Sequence, residues 1–508
     1  MGVQSIAARR AKRKSSFQPT GCRTVLRLSS SKPGEAEGIL TIPAQILTPH
    51  RHLMALLLLA AVLRLALPVA AVTVGRNSLM FSESDSSYLA LAAELLASGS
   101  FGTEPEVYIT PGYPIFLLPG MASSHFELIT LLFQVIASCV TLVFVYRTSI
   151  LLFERKSIAT GASLLYAVDP VSVLLVTWVM AETLFTTLIM AFLFYLLKYL
   201  GDPKQRRITV SAFALSLAIY VRPIAYYLPF VIAAGLLLWA CGNVTRRRAC
   251  TIHVGVFLLV SAAPLGLWQY RNYLATGIWQ FSVVADTNLF TYQAAAVQAV
   301  VQGKPFEETK DQMSFDKVAE SLARRHENRT VPPSEVYQYM RTEGWRILSA
   351  HPGVFARIYM TGIVHTLIGP GAEAYLRYFR IHPEGGRWPG EVFATTRFLD
   401  GIMFFVKHRP DGFWTNVVLG FVLLAYLGLA GVGLCVSRPL SHAPKLFFLL
   451  VASYLLVASG GPIGNARFRV PLVPMISIFA GVGLCLARRA CRKGLAGGLR
   501  PPVDRRAM

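Results

Sequence analysis

The chain has 508 residues, of which 54% are hydrophobic and only 15% charged, against roughly a quarter charged in a soluble globular protein. That deficit excludes an ordinary water-soluble domain and sets much of the surface against lipid. The net charge of +22 does not point to nucleic acid. Residues 1–52 and 488–508 together hold +13 of it, beside apolar runs and without interleaved aromatics, which is the positive-inside pattern of a membrane protein.

Continuous Leu/Ala/Val-rich runs of roughly 18 or more residues predict an all-α polytopic membrane protein. They lack the alternation of a barrel strand. Residues 1–52, Arg/Ser-rich and poor in acids, read as a disordered cytosolic tail, as a transit-like segment, or as translation begun upstream of Met54. Spans are expected near 53–72, 127–147, 157–175, 178–198, 208–222, 224–241, 251–268, 414–436, 444–460 and 470–487. The run 352–370 is apolar but interrupted by Gly362, His365, Gly369 and Pro370, so a span, a re-entrant segment and an interfacial helix all stay open. The connections near 147–156, 198–207 and 246–248 are basic and should be cytosolic, as should both tails. The number of spans is then even: ten, or twelve if 352–370 and a segment near 391–406 both cross. The domain organisation is a tail over 1–52, a transmembrane domain over 53–488 and a basic cytosolic tail over 489–508. Two outer regions, 73–126 and 268–413, are too long to be connectors and should carry function.

In chain order, the first outer region opens with "FSESDSSYLALAAELLASGSFG" (81–102), which holds Glu83 and Asp85. The spacing of Asp85, Tyr88, Ala92 and Leu95 predicts one helix face, with Ser84 placed to cap it and Gly99 to end it. Read structurally, Asp85 is a helix N-terminal charge. "YITPGYPIFLLPG" (108–120) predicts a turn leading into an apolar segment at the membrane interface. Glu182 stands inside the apolar run 177–190, where a carboxylate is costly and therefore a functional candidate. Asp169, before Pro170, reads as a helix-end residue. Arg222 beside Pro223, Arg271 with Asn272, and Arg467 and Arg469 before the last span all fall at outer helix ends. Each reads as an anchor that snorkels to headgroups or as a planar donor for an anionic group. Segment 303–350 reads as two soluble amphipathic helices split by Pro332–Pro333, a solvated outer-face hairpin. Asn328-Arg-Thr fits the N-glycosylation triplet, which matters only in a secretory setting. The cysteines Cys22, Cys139, Cys241, Cys250, Cys435, Cys485 and Cys491 form no CxxC pair and argue against a disulfide framework or zinc site.

The Asp85–Tyr88–Ala92–Leu95 series followed by "PGYP" resembles the first outer loop of GT-C superfamily glycosyltransferases, integral membrane enzymes that use lipid-linked sugars. The likeness is strongest to the branch with protein O-mannosyltransferases and the aminoarabinose transferases of lipid A. It continues in "DPVSVLLVTWVMAETLFTTL" (169–188), "AIYVRPIAYYLP" (218–229), "PLGLWQYRNYLATGIWQFSVVADTNLF" (264–290) and "NARFRVPLVPMISIFAG" (465–481), and so covers most of 53–488. Two features depart from it. Many relatives carry a second acid where this chain has Ser86, and Arg76 is the only Lys or Arg between Thr73 and Phe126.

The resemblance implies a GT-C-like bundle of about ten to twelve spans. It further implies inverting transfer of a sugar from a polyprenyl-phosphate donor to a protein, lipid or glycan acceptor on the outer side. Asp85, ionised at an ordinary carboxylate pKa near ~3.9, would take the acceptor proton, with Glu83 its nearest substitute. Tyr88, Tyr113, Glu182, Arg222, Arg271, Asn272, Arg467 and Arg469 would bind substrate. No cofactor is implied with certainty, and a divalent metal beside Asp85 and Glu182 lacks a ligand cluster of clear spacing. Membrane lipids and the lipid-linked donor are the expected partners, nucleic acid is not, and a bacterial inner membrane is the expected location. The competing reading is a transporter or lipid flippase. No repeat between the two halves supports that reading. A further alternative is a membrane subunit with a degenerate site.

Overall fold

The computed structural model describes residues 51–75, 78–81, 86–101, 109–241, 247–325, 330–379, 403, 407, 410–437 and 442–498. Cys22, Arg76, Glu83, Ser84, Asp85, Asn328 and nearly all of 391–406 lie outside those residues, as do most of both tails.

Among the described residues the chain is all-helical apart from an isolated parallel bridge between Phe81 and Trp178. Seven helices among the described residues are long and apolar enough to cross a membrane: Arg51–Thr73, Phe126–Phe153, Glu182–Gly201, Pro223–Cys241, Arg248–Thr276, Gly412–Val436 and Ala466–Cys491. The protein is an integral, multi-pass membrane protein. We number its helices α1 (Arg51–Thr73), α2 (Ser86–Ser98), α3 (Gly112–Met121), α4 (Phe126–Phe153), α5 (Lys156–Ala167), α6 (Pro170–Leu175), α7 (Glu182–Gly201), α8 (Gln205–Val221), α9 (Leu228–Cys241) and α10 (Arg247–Thr276). Next come α11 (Val284–Thr287), a π-helix (Asn288–Ala294), α12 (Ala295–Gln302), α13 (Phe306–Gln312), α14 (Phe315–Arg325) and α15 (Pro333–Ala350). The chain then returns through α16 (Pro352–Ile368), α17 (Ala372–Tyr378), α18 (Pro410–Val436), α19 (His442–Ala458) and α20 (Val473–Gly498).

Two expectations from sequence need correction. The run 157–175 is not one helix. Pro170 lacks an N–H and pushes its predecessor out of the helical region, so the chain breaks at Val168–Asp169. Asp169 restarts it as the cap of α6, its carboxylate accepting from the Ser172 amide at 2.8 Å. Segment 303–350 forms three helices, not two, because α13 closes at Gln312 before α14 begins at Phe315; α15 starts with Pro333 in its first turn, where a missing N–H costs nothing.

A second interruption leaves polar backbone inside the bundle. Between α6 and α7 the chain from Val176 to Ala181 is unwound, and its N–H and C=O groups need partners there. Gln134 of α4 supplies some, donating to the carbonyls of Val176 (3.3 Å) and Trp178 (2.7 Å). Phe81 supplies the rest of the bridge: its N–H donates to Thr177 (2.8 Å) and its carbonyl accepts from Val179 (3.0 Å). Upstream, Glu127 at the start of α4 accepts from Ser78 Oγ (2.8 Å) and from the Leu79 amide (2.7 Å). The chain segment 78–81 is thereby fixed beside the N-terminus of α7.

Deeper in the bundle, Arg64 of α1 is wholly buried without a carboxylate. It donates to Ser138 Oγ at 2.7 Å and to the carbonyls of Ala60 and Ala167 at 3.1 Å, and lies over the Tyr166 ring. α20 packs between α5 and α18. The approach is close because the contact residues are glycines. A Cβ on Gly433 of α18 would overlap the Phe479 carbonyl oxygen, and one on Gly483 of α20 would overlap that of Leu429. A separate apolar cluster joins the π-helix, α12, α14 and α15 through Val283, Phe290, Val297, Val318, Val336, Met340 and Ile347.

Candidate functional site

The unwound segment ends where α7 begins, and the first residue of α7 is Glu182. A carboxylate is favoured at a helix N-terminus, but this one is 3% exposed and needs cations. Two converge on its Oε1: Arg222 through Nη1 at 2.9 Å and Arg467 through Nε at 3.1 Å. Arg222 caps the C-terminus of α8, held extended by the following Pro223. Arg467 sits in the 3₁₀ turn Ala466–Leu472, which Asn465 caps by accepting from the Arg467 amide at 3.0 Å. Both guanidiniums lie over the Phe468 ring, 5.5 Å and 5.0 Å from its centroid. One carboxylate against two guanidiniums leaves a surplus positive charge. The Arg467 side chain is 34% exposed and that of Arg222 15%, so Arg467 is the freer of the two.

This cluster lines a cavity of about 740 Å³, within the size range of small-molecule sites. Tyr88, Thr110, Glu182, Arg222, Tyr226, Gln269 and Arg467 line it together with Gln280, Phe281, Asn288, Tyr292, Gln293 and Phe468. Tyr88 reaches it from α2, which packs on α3. Tyr113 lies behind Tyr88 in an edge-to-face contact at 5.0 Å, wholly buried and outside the lining. Gly112 of the "PGYP" turn lets α3 touch α8: a Cβ there would meet the Tyr220 carbonyl carbon at 2.7 Å.

The other expected residues separate from this cluster. The four arginines do not share one site. Arg271 donates to the Phe101 carbonyl and to Asn272 Oδ1, with its guanidinium 5.0 Å from the Trp268 ring centroid, and does not line the cavity. Asn272 is buried behind the wall, where its amide donates to the carbonyls of Gln280 (2.8 Å) and Phe281 (3.3 Å) and fixes two lining residues. Arg469 is 2% exposed and turned away: it donates to the carbonyls of Thr366, Leu367 and Gly369 and closes the C-terminus of α16. α2 begins at Ser86; Asp85 and Glu83 lie outside the described residues. No group of three His, Cys, Asp or Glu side chains that could hold a metal occurs among the described residues.

Sequence reasoning missed the neutral wall formed by Gln269, Gln280, Asn288, Tyr292 and Gln293. Isolated amides carry no spacing signature. A polar Asn288…Tyr292-Gln293 set does stand out in an apolar stretch, but a helical period of 3.6 would not put all three on one face. The wall rests on Asp286, which accepts from Arg341 Nε at 2.9 Å, from Arg341 Nη2 at 2.8 Å and from the Gln280 amide at 3.1 Å. Burial pushes the Asp286 carboxyl above the usual carboxylate range, although Arg341 acts the other way.

Comparison with known proteins gives one family. Residues 122–268 match the family described as dolichyl-phosphate-mannose-protein mannosyltransferase. The resemblance to the O-mannosyltransferase branch of GT-C enzymes therefore holds over the stretch that contains Glu182 and Arg222. Among curated proteins none matches. Two solved structures of an archaeal oligosaccharyltransferase from Archaeoglobus fulgidus are similar in course. One is AglB with an inhibitory peptide and dolichol-phosphate, 11% identical with a TM-score of 0.48, covering 89% of this chain. The other carries a tethered acceptor peptide, is 14% identical with a TM-score of 0.48, and covers 91% of this chain. This chain spans about half of each, 52% of their length.

Proposed function

We propose that the protein is a membrane glycosyltransferase that moves a sugar from a polyprenyl-phosphate carrier to an acceptor on the outer side of a bacterial inner membrane. The observation that carries this reading is the Glu182–Arg222–Arg467 cluster. It presents surplus positive charge in a cavity at the ends of apolar helices, where a lipid-borne phosphate would lie. The family match over residues 122–268 supports the same reading. In it, the acceptor hydroxyl loses its proton to Asp85 as its oxygen bonds the anomeric carbon. The bond from that carbon to the lipid phosphate breaks, the configuration inverts, and the charge on the departing oxygen falls to Arg467 and Arg222, whose planar donors suit a phosphate. Glu182 holds both guanidiniums in place and keeps them from repelling each other. The donor and acceptor are a lipid-linked sugar and a protein, lipid or glycan hydroxyl.

The test is transfer by protein reconstituted in vesicles with radiolabelled polyprenyl-phosphate sugars and a cell-envelope fraction. Wild type moves label from carrier to acceptor, and Asp85→Asn does not while still folding and binding carrier. Full activity in Asp85→Asn would remove the base assignment. Carrier lipid that crosses the membrane with no label transferred by wild type would favour a transporter.

A further inference from the structure

The cavity has two chemically different parts. The charged part is Glu182, Arg222 and Arg467; among the described residues no other charged side chain lines it. The second part is neutral and hydrogen-bonding, and its centre is the π-helix Asn288–Ala294. A π-helical turn is rare and is frequently found at functional sites. Its effect here is directional. At 3.6 residues per turn, Gln293 would stand roughly 140° round the axis from Asn288. The i→i+5 pattern of a π-helix brings such residues toward one face, and Asn288, Tyr292 and Gln293 all line the cavity.

The turn is also held firmly. Thr291 Oγ1 donates to the Met313 carbonyl at 3.0 Å. Leu289 packs on Gly344 of α15, where a Cβ would come within 3.1 Å. The Asp286–Arg341 pair ties α11 to α15 just before the π-helix begins. An uncommon turn kept in place by its neighbours is what a recognition surface requires.

The geometry points to the π-helix as the element that reads the transferred sugar: the amides of Asn288 and Gln293 and the hydroxyl of Tyr292 bind ring hydroxyls and favour an uncharged sugar over an amino sugar. This rests on the lipid-phosphate reading above. The chemistry is selective because the one carboxylate among the described lining residues, Glu182, has its Oε1 engaged by two arginines. Among the described lining residues a cationic amino group finds no carboxylate free of guanidinium partners. A hydroxylated ring meets amides that both donate and accept.

Equilibrium binding to the purified full-length chain in lipid discs tests this with three probes: bare polyprenyl phosphate, the same lipid bearing mannose, and the same lipid bearing 4-amino-4-deoxyarabinose. The mannosyl lipid should bind about tenfold tighter than the bare lipid, and the amino-sugar lipid should show no such gain. Gln293→Ala should erase most of the mannosyl gain and leave bare-lipid affinity within about twofold. Gln293→Glu, isosteric but anionic, should reverse the order, raising affinity for the amino-sugar lipid; misfolding cannot produce that gain. Equal binding of bare and mannosyl lipid, or an unchanged order in Gln293→Glu, overturns the sugar-reading role while leaving the lipid-phosphate reading in place. No binding of any probe overturns both.

Discussion

Arg467 and Arg469 stand two residues apart, and the chain gives them opposite tasks. The 3₁₀ turn that carries them points one guanidinium at Glu182 in the cavity and the other at the end of α16. Arg469 is a buried cation satisfied by three carbonyls rather than by a carboxylate. Removing it strands those acceptors. Arg469→Leu should therefore lower stability by about 3 kcal/mol, read as a lower unfolding temperature in detergent, while carrier binding by the folded fraction stays intact. Arg467→Ala should do the reverse, weakening polyprenyl-phosphate binding about tenfold or more with little loss of stability. If the two variants exchanged these phenotypes, the division of labour drawn from the geometry would be wrong. That both arginines are unusual was legible in "ARFRVP", but which one faces the cavity was not, since two residues along a 3₁₀ turn is a rotation that only the surrounding helices fix.

At the scale of the elements, the stability of the bundle depends on how closely α20 approaches its neighbours. Lipid offers no hydrophobic drive between helices, so close packing over small residues carries the association. Gly433 and Gly483 mark points where α18 and α20 come into backbone contact. Gly483→Ala should cost about 2 kcal/mol through forced separation of the two backbones, measured by thermal unfolding in detergent. Gly428 is the control: it lies on the same α18, and a Cβ added there would meet nothing within 4 Å. Gly428→Ala should be neutral or slightly stabilising, because Ala is the better helix former. Equal losses at both sites would show that backbone contact at Gly483 is not the cause, since helix propensity favours Ala at each. The interrupted stretch between α5 and α7 obeys the same dependence on distant neighbours. Pro170 made the first break legible in the sequence, but not that Phe81 and Gln134 would satisfy the unwound backbone beyond it, since both partners are remote in the chain.

For the molecule as a whole, the cavity cluster sits at the C-terminal end of α8 and the N-terminal end of α7, while their other ends meet in the basic stretch 198–207. If basic connections mark the cytosol, the cavity and the helices α11–α15 face outward. In a cysteine-free background, Lys317→Cys on α14 should react with a membrane-impermeant maleimide in intact cells, and Lys204→Cys only after permeabilisation. Both lysines are exposed, with side chains 62% and 65% accessible, so failure to label would report sidedness and not burial. The opposite pattern would invert the topology and, with it, the side on which transfer is proposed.

The sequence by itself determined that this is an all-α, multi-pass membrane protein, because lipid leaves the backbone no alternative to helices and apolar length is additive along the chain. It also singled out Glu182, Arg222 and Arg467 as misfits, since a charge among apolar residues is visible without any contact map. Which misfits meet was a matter for tertiary structure alone: Glu182 joins Arg222 and Arg467 across intervals of 40 and 285 residues, and Arg271 and Arg469 go elsewhere. The neutral wall was likewise decided there, because a π-helical turn held by α15 sets the direction of Asn288, Tyr292 and Gln293, and that direction depends on packing partners which no local pattern encodes.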